Sequence, residues 1–394
     1  MRIAFVNHTR RKVGGAEKYI GAVLPALARA GHEVAWMYES DVPADRECIA
    51  CPSHAPSWCI AERGVTVALP ELARWKPDIL YTHGIADNTF HAALLDLAPS
   101  VLYAHNYNGT CISGNKLHDG EVPRICGRAF GPACLLHYFP DHCGGRNPLT
   151  MLSLYREQST RFDLMHRYCA LIANSRYVQR ELSQNGFEAH CVHPFTAEPV
   201  VHPAAAVFND EPLRLIFAGR MTRLKGGEYL VRAIPEAQRQ LGRKLHVTFA
   251  GDGQERSQWQ RLSQGLQNAN VTFDFPGWLG STDLQRVIAQ CHLMVFPSIW
   301  PEPFGLSGPE AGLLGVPSVA FPVGGIPEWL HDGVNGHLAP TPVSVGGLAE
   351  AITKALCDRN HYEALRQGAC REGHRYSLDD HLSQLLAIFE RCRA

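Results

Sequence analysis

Two glutamates stand eight residues apart in a segment rich in glycine and proline, where carboxylates could act on a bound ligand. The segment covers residues 301–315 and contains Glu302 and Glu310. Its prolines keep the first part out of helix, and its glycines remove side chains where a ligand would approach closely. A helix is predicted to begin near Leu306, so that Glu302 stays on the loop and Glu310 lies on the helix. The carboxylates are expected to belong to different subsites, and two solvated glutamates in a turn are the alternative.

Two cations occupy a comparable position earlier in the second half of the chain. A predicted strand ends in a glycine followed by Arg220, and Lys225 comes just before a helix. Arg220 can bind a diphosphate bidentately, and Lys225 can act as a point charge. Gly251 follows the next predicted strand and Trp278 follows a strand predicted over residues 271–273, in loops where a base and a ribose could rest. Solvated turn charges are the alternative for the two cations.

The first half of the chain places a histidine and a glycine pair at the ends of predicted strands. His105 follows the apolar run 101–104, and a histidine there can donate a hydrogen bond to a hydroxyl or carbonyl group. A hydrogen-bonded loop histidine is the alternative. Gly14 and Gly15 lie between the opening strand and a helix, where they could admit a ligand, although glycine pairs also serve tight packing.

Cysteines are unusually frequent for a reducing compartment, with thirteen in the chain. A tetrahedral zinc site could be built from four thiolates in the segment after His105: Cys111, Cys126, Cys134 and Cys143. Their separations are longer than the compact pairs of common structural zinc sites, so unmetallated thiols or a labile disulfide remain the alternative. Cys48 and Cys51 have metal or redox spacing, but no second such pair lies nearby.

Strands and helices alternate on both sides of a proline-rich linker that follows residue 195. Each half begins as a strand, a glycine-containing turn and a helix. Open α/β sheets bind ligands at the carboxyl ends of their strands, which is where the candidate residues fall. The length of 394 residues fits two or three domains.

The composition describes a folded chain with no broad basic surface. Hydrophobic residues make up 45% and charged residues 19%, and the formal net charge is −1. Nucleic-acid binding normally needs a basic face, so we expect no nucleic-acid partner. The sequence shows no secretory signal at its start and no apolar run of about 20 residues. We therefore expect a cytoplasmic protein, and peripheral contact at the inner membrane face stays open.

With these motifs assembled, the chain resembles the retaining glycosyltransferases of family 4, the group 1 glycosyltransferases. The resemblance covers nearly the whole chain and rests on four stretches: residues 217–226, Gly251-Asp252-Gly253, the E-x7-E pair of Glu302 and Glu310, and Gly14-Gly15-Ala16-Glu17. It implies an α/β chain of the GT-B fold, with two facing Rossmann-like domains, parallel sheets and an interdomain cleft. The expected domains are an acceptor-binding domain over 1–197, a nucleotide-sugar domain over 198–375, and a C-terminal helix over 376–394 that returns to the first domain.

The resemblance also implies roles for individual residues. Arg220 and Lys225 would bind the donor diphosphate, Glu310 the nucleotide ribose, and Glu302 would face the transferred sugar. His105 would lie near the donor sugar, and with Glu302, Arg220 and Lys225 it completes the catalytic candidates. The remaining donor-binding candidates act through backbone or ring contacts: Gly15, Gly251, Trp278, Phe304, Gly305 and Leu306.

The implied reaction moves a sugar from a nucleoside-diphosphate sugar to the hydroxyl of a sugar, glycolipid or small-molecule acceptor. The resemblance implies no cofactor and no DxD-type metal requirement, and it implies retention by front-face attack. A nucleotide-sugar epimerase, a phosphorylase or a non-catalytic nucleotide-sugar-binding protein is the alternative. A dinucleotide oxidoreductase is disfavoured, because neither glycine turn shows G-x-G-x-x-G followed by an acidic residue at the proper distance.

Overall fold

The computed structural model describes residues 1–11, 14–40, 48–49, 51–52, 54–120, 122–197 and 206–393. The chain divides into two compact units: Met1–Asp119 with Cys126–Pro194 and Asp379–Ala394, and Gly120–Ile125 with Phe195–Leu378. Of the linker predicted after residue 195, residues 198–205 lie outside the described residues. Within these ranges, no helix is both long enough and apolar enough to cross a membrane.

The described residues up to Pro194 form nine strands: β1 (Arg2–Thr9), β2 (Glu33–Ser40), β3 (Ser57–Cys59), β4 (Ile79–Thr82), β5 (Ser100–Ala104), β6 (Leu117–His118), β7 (Arg124–Ile125), β8 (Ala170–Ala173) and β9 (His190–Cys191). Seven of them make one parallel sheet in the order β3-β2-β1-β4-β5-β8-β9. The chain adds strands outward from β1 and then returns to β1 with β4, so the strand order reverses between β1 and β4.

Seven helices accompany these strands in the same part of the described chain: α1 (Gly15–Arg29), α2 (Ile60–Arg63), α3 (Val65–Trp75), α4 (Asn88–Leu94), α5 (Ala133–His137), α6 (Pro148–Met165) and α7 (Arg176–Gln184). Strand β4 is buried along its whole length, as is typical of parallel strands covered on both faces. On one face Leu80 packs in a core that includes Leu72 of α3 and Phe90 of α4. On the other face the rings of Tyr81 and Tyr19 meet edge to face.

The second unit contains a six-stranded parallel sheet in the order β12-β11-β10-β13-β14-β15. Its strands are β10 (Leu213–Ala218), β11 (Leu245–Ala250), β12 (Val271–Gly277), β13 (Leu293–Phe296), β14 (Ser318–Ala320) and β15 (Gly336–Leu338). Its helices are α8 (Gly227–Leu241), α9 (Arg256–Gln264), α10 (Ser281–Ala289), α11 (Ser307–Leu313), α12 (Val345–Leu356) and α13 (Arg359–Gly373). Two short 3-10 turns are formed by Arg223–Lys225 and Ile326–Glu328.

Strand β12 is longer than the sequence predicts. The prediction ends it at residue 273, whereas the strand continues through Pro276 to Gly277. β12 is an edge strand, with a neighbouring strand on one side only. A proline, which has no N–H, is tolerated in such a strand because the open side forms no hydrogen bonds to another strand. Its pairing with β11 shifts register between Thr248 and Ala250, which accommodates the proline.

The last helix, α14, runs over Leu378–Arg393 and joins the first unit from Asp379 onward. Phe389 is fully buried and its ring meets Tyr81 of β4 at a centroid distance of 5.0 Å. His381 is also buried, and its Nδ1–H donates to the carbonyl oxygen of His193 at 2.7 Å. This helix therefore closes one face of the first sheet.

Candidate active site

The strongest candidate site of the second unit lies where its strand order reverses. β10 and β13 are neighbours, but the chain visits β11 and β12 between them. In open parallel sheets such a reversal leaves a crevice at the carboxyl ends of the two strands, and ligands bind there. The loop after β10 carries Arg220 and Lys225, and the loop after β13 carries Glu302.

Lys225 and Glu302 form an ion pair in this crevice, although they are 77 residues apart in sequence. Nζ of Lys225 lies 2.6 Å from Oε1 of Glu302, and the two side chains are 26% and 5% exposed. The Lys225 ammonium also lies 5.1 Å from the centroid of the Trp300 ring, within range of a cation–π contact. Glu302 is therefore a buried, paired carboxylate, and the solvated alternative is wrong for it.

The two loops are held together by hydrogen bonds to one backbone carbonyl, which lies directly before Lys225 in sequence. The carbonyl oxygen of Leu224 accepts from the N–H groups of Ile299 and Trp300, at 3.0 and 3.2 Å, and from Oγ of Ser298 at 3.2 Å. Because Leu224 precedes Lys225 directly, these bonds fix the position of the lysine backbone against the second loop.

A third loop, after β14, closes on the backbone of Glu302. The N–H of Gly325 donates to the carbonyl oxygen of Glu302 at 2.7 Å. At the neighbouring Gly324, with φ +62°, a Cβ would lie 2.1 Å from the same oxygen. Only glycine permits this approach, so the glycine turn after β14 supports the Glu302 loop from behind.

Three other predicted candidates follow strands of the same sheet. Arg220 comes two residues after β10 and is exposed. Gly251 follows β11 and is buried, with its N–H donating to the carbonyl oxygen of Gly277 at 2.8 Å. Trp278 follows β12 and is 48% exposed. All three lie at the carboxyl edge that the sequence predicts for them.

The loop after Glu302 leads into α11, which begins at Ser307 with Leu306 as its N-cap, close to the predicted start. Phe304 is buried, and its carbonyl oxygen accepts from Nε1 of Trp329 at 2.7 Å. Gly305 has φ +85°. Glu310 lies in the first turn of α11 and is partly exposed. The structure thus keeps Glu302 on the loop and Glu310 on the helix, as predicted.

Gly251→Ala is expected to separate the loops that follow β10 and β11. With φ +136°, a Cβ at this position would lie 2.0 Å from the carbonyl oxygen of Gly219, a backbone atom that cannot move away cheaply. We expect a loss of about 3 kcal/mol in the free energy of unfolding, measured by urea denaturation. Gly242→Ala is the matched control, because its φ is +65° and no heavy atom lies within 4 Å. A cost no larger at Gly251 than at Gly242 would contradict the clash.

In the first unit, the predicted residues follow β1 and β5. Gly15 is the first residue of α1 and is exposed, and a Cβ there would meet no heavy atom within 4 Å. Internal packing therefore does not require glycine at this position. His105 is partly buried, directly after β5, and burial lowers its pKa to about 3. It is a neutral imidazole at neutral pH, able to donate or accept a hydrogen bond.

Sequence reasoning missed His83, which follows β4 and is within hydrogen-bonding distance of His105. Nδ1 of His83 lies 3.1 Å from Nε2 of His105. The signal was present, because His83 and His105 follow adjacent parallel strands. Residues that follow adjacent parallel strands come together at the carboxyl edge of the sheet, as Lys225 and Glu302 do in the second unit.

The four cysteines considered for a metal site converge on one small cavity of about 10 Å³: Cys111, Cys126, Cys134 and Cys143. Within the described residues, however, no group of three or more His, Cys, Asp or Glu side chains is arranged to hold a metal ion. All thirteen cysteines lie within the described residues, and none of them forms a disulfide there. Burial and the neighbouring Cys126 and Cys111 raise the pKa of the Cys143 thiol to about 12.

Solved structures share this fold over almost the whole chain. Sucrose-phosphate synthase of Thermosynechococcus elongatus superposes with a TM-score of 0.73 at 18% identity, over 99% of this chain and 98% of that one. HepE of Anabaena, solved in complex with UDP and glucose, superposes with a TM-score of 0.65 at 20% identity, over 99% of this chain and 100% of that one. Together with the two parallel sheets, these likenesses define the fold as GT-B.

Family matches divide the chain in two. Residues 13–195 match Glycosyltransferase Family 4, and residues 201–371 match Glycosyl transferases group 1. The chain belongs to the group 1 glycosyltransferases. An uncharacterized glycosyltransferase of Methanocaldococcus jannaschii is 28% identical over 182 residues, which are 46% of this chain and 45% of that protein. The chain thus spans less than half the length of this curated relative.

Proposed function

We propose that this protein is a retaining glycosyltransferase that moves a hexosyl group from a nucleoside-diphosphate sugar to an acceptor hydroxyl. The acceptor is a sugar, a glycolipid or a small molecule, and the reaction belongs to polysaccharide, glycolipid or glycoconjugate biosynthesis. The observation that carries the proposal is the ion pair between the partly exposed Lys225 and the buried carboxylate of Glu302, at the strand-order reversal of the second sheet.

This pair suits a site that binds a diphosphate next to a sugar. An ammonium group has three N–H donors, so one bond to Glu302 leaves two of them for phosphate oxygens. Arg220, exposed on the same loop, adds a bidentate donor. As the glycosyl–phosphate bond breaks, negative charge collects on the departing diphosphate, and both cations stabilise it. Backbone N–H groups of Phe304, Gly305 and Leu306 are proposed to contact phosphate and sugar.

The two glutamates have separate roles in this proposal. Glu302 is held by Lys225 and faces the transferred sugar, where positive charge develops in an oxocarbenium-like transition state. Glu310, partly exposed on α11, binds the ribose hydroxyls. A glycosidase-like mechanism would need both carboxyls to flank one bond. The departing phosphate instead helps to deprotonate the acceptor, which attacks from the same face and retains the configuration.

The remaining candidates complete the donor site. Gly251 and Trp278 are assigned to the base and ribose, Gly15 to the diphosphate or sugar, and neutral His105 to a hydroxyl of the transferred sugar. Because Arg220 and Lys225 supply the positive charge, transfer is proposed to need no cofactor. The complex of HepE with UDP and glucose makes UDP-glucose the first donor to test.

A thermal-shift panel of UDP, GDP, ADP, their sugar conjugates and NAD tests the donor site directly. We expect one nucleoside diphosphate to raise the Tm, since a ligand at a hundredfold excess over its Kd stabilises the folded state by about 2.7 kcal/mol. Glu310→Ala is expected to reduce that shift, because it removes the ribose contact. Transfer of radiolabelled sugar, in the presence of EDTA, then tests the reaction with sugar and glycolipid acceptors.

Glu236→Ala serves as the matched control, because this glutamate lies on α8 and pairs with Arg239 at the surface. Its Tm shift with nucleotide should equal that of the wild type. No response to any nucleotide, or a response to NAD alone, would contradict the proposal. An isomerised sugar nucleotide formed without acceptor would point to an epimerase, and donor binding without transfer to any acceptor would point to a non-catalytic protein.

A further inference from the structure

The ring of the buried His83 has one hydrogen-bond partner among the described residues. It directly follows β4, and its backbone N–H donates to the carbonyl oxygen of Val6 at 2.9 Å. Its Nδ1 lies 3.1 Å from Nε2 of His105, and its Nε2 is buried with no hydrogen-bond partner in the described part of the chain. The side chain is therefore placed by the fold to contact His105.

Aromatic rings enclose His83 on several sides. Phe5 of β1 stacks on it at a centroid distance of 5.7 Å, and Tyr81 meets it edge to face at 4.2 Å. The ring centroids of Tyr19 and Tyr103 lie 5.5 and 6.2 Å from that of His83. These rings hold the imidazole in one orientation, so the direction of its Nδ1 is set by packing.

The hydroxyl groups around His83 are engaged in a separate chain. The hydroxyl oxygens of Tyr19 and Tyr81 lie 2.6 Å apart, and the Tyr19 oxygen lies 2.6 Å from Nε2 of His381. Because Nδ1–H of His381 donates to a backbone carbonyl, its Nε2 accepts from Tyr19. The hydroxyl of Tyr103 donates to the carbonyl oxygen of Val192 at 3.0 Å.

Two tautomer assignments are compatible with the contact between His83 and His105. If His105 donated from Nε2, His83 would carry its proton on Nε2 and leave a buried N–H unpaired. If His83 donates from Nδ1, its Nε2 is an unprotonated acceptor that lacks a partner. Unpaired buried N–H groups are rarer in proteins than under-satisfied acceptors. The second assignment therefore fits the buried, unpartnered Nε2 better.

Both rings are neutral at ordinary pH, as a single N–H···N bond requires. Burial, followed by the nearby His105 and His381, lowers the pKa of His83 well below its usual value. Burial alone lowers the pKa of His105 to about 3. A neutral imidazole carries one proton, so fixing Nε2 of His105 as an acceptor leaves the proton on Nδ1.

We propose that His83 is a positioning residue that donates Nδ1–H to Nε2 of His105 and thereby holds His105 as an Nδ1–H donor for a hydroxyl of the transferred sugar. The proposal rests on the proposed role of His105. His83, which follows the neighbouring strand β4, would select this tautomer of His105. The residue that contacts the substrate and the residue that orients it are therefore 22 positions apart in the sequence.

The tautomer can be read without any activity measurement. In full-length protein labelled with 15N-histidine, a two-bond proton–nitrogen correlation separates protonated from unprotonated ring nitrogens, and His105→Gln identifies the His105 signals. We expect Nδ1 to be protonated and Nε2 unprotonated in the wild type. In His83→Ala, water can fill the space and either donate or accept, so both nitrogens should shift toward averaged values. His83→Asn, whose amide N–H can replace Nδ1–H, should restore the wild-type pattern.

Kinetics supply the second readout. His83→Ala is expected to lower kcat by at least about tenfold with little change in the KM for the donor, and His83→Asn to recover most of the loss. His91→Ala is the matched control, because His91 is also buried and pairs with Tyr168 rather than His105. One of its ring nitrogens likewise has no partner among the residues that the structure describes. The His91→Ala variant should leave kcat unchanged.

A wild-type His105 that carries its proton on Nε2 would overturn the proposal, and so would spectra unchanged in His83→Ala. Equal losses of kcat in the His83→Ala and His91→Ala variants would assign His83 a purely structural role. Failure of the proposed function is distinguishable, because it would remove sugar transfer from the wild type while leaving the tautomer spectra readable.

Discussion

Lys225→Met is expected to lower kcat/KM for sugar transfer by about 10²- to 10³-fold, the effect of removing one preorganised charge from a transition-state site. The lysine is proposed to neutralise the departing diphosphate, and its ammonium is held at 2.6 Å by Glu302. Methionine keeps the length and most of the volume of the stem but carries no charge. Steady-state kinetics with the donor identified by thermal shift would measure the loss.

The same substitution should destabilise the fold, because it leaves Glu302 buried and unpaired. We expect a cost of about 2 kcal/mol, below the 3–5 kcal/mol typical of fully buried pairs because Lys225 is partly exposed. The Tm should fall by about 4–8 °C. In the double variant Lys225→Met with Glu302→Gln, no buried charge remains. The Tm should then recover while transfer stays lost, which separates the structural from the catalytic effect.

Arg232→Met is the matched control for this series. Arg232 lies on α8 and pairs with Glu228 at the surface, where such ion pairs contribute little. It should change neither the Tm nor the kinetics appreciably. Wild-type kcat/KM in Lys225→Met would remove the lysine from the proposed mechanism. A Tm that stays low in the double variant would show that the lysine stem, rather than the charge pair, supports the loops.

The first unit is expected to be sensitive to mild acid. Burial lowers the pKa of His381 to about 4, and burial with the nearby Arg161 and Arg167 lowers that of His91 to about 4. In the unfolded chain both titrate near 6.5. Below pH 6.5 the unfolded state therefore takes up protons that the folded state does not. Stability is complete above about pH 6.5 and falls as the pH drops toward 4.

At pH 5 each of these histidines lowers the free energy of unfolding by about 2 kcal/mol relative to pH 8. Buried His83 adds to the effect in the same direction. The Tm should therefore fall by at least about 10 °C between pH 8 and pH 5, measured by scanning calorimetry. His91→Asn should flatten the dependence, because one titrating group is removed. His54→Gln, at an exposed position, should leave it unchanged. A Tm constant from pH 8 to pH 5 would contradict the assignment of neutral buried histidines.

Several features of the fold were predictable because they depend on local order. β13 reads as an uninterrupted apolar run because a parallel strand covered on both faces is buried throughout. The proline and glycine residues after it keep the chain out of helix until Ser307, close to the predicted start. β12 was predicted too short, because a proline is compatible with a strand only when the strand lies at an edge, and edges are set by topology.

The sequence alone determined which residue types stand at the carboxyl ends of the strands, and from their motifs the group 1 glycosyltransferase family and the GT-B fold. Tertiary structure decided which of those residues meet. It pairs Lys225 with Glu302 and His83 with His105, and it buries a glutamate that the sequence allowed to be solvated. Periodicity reports the environment of one segment, whereas these contacts join loops from different strands. Their distances follow from strand order and backbone packing, which no single segment encodes.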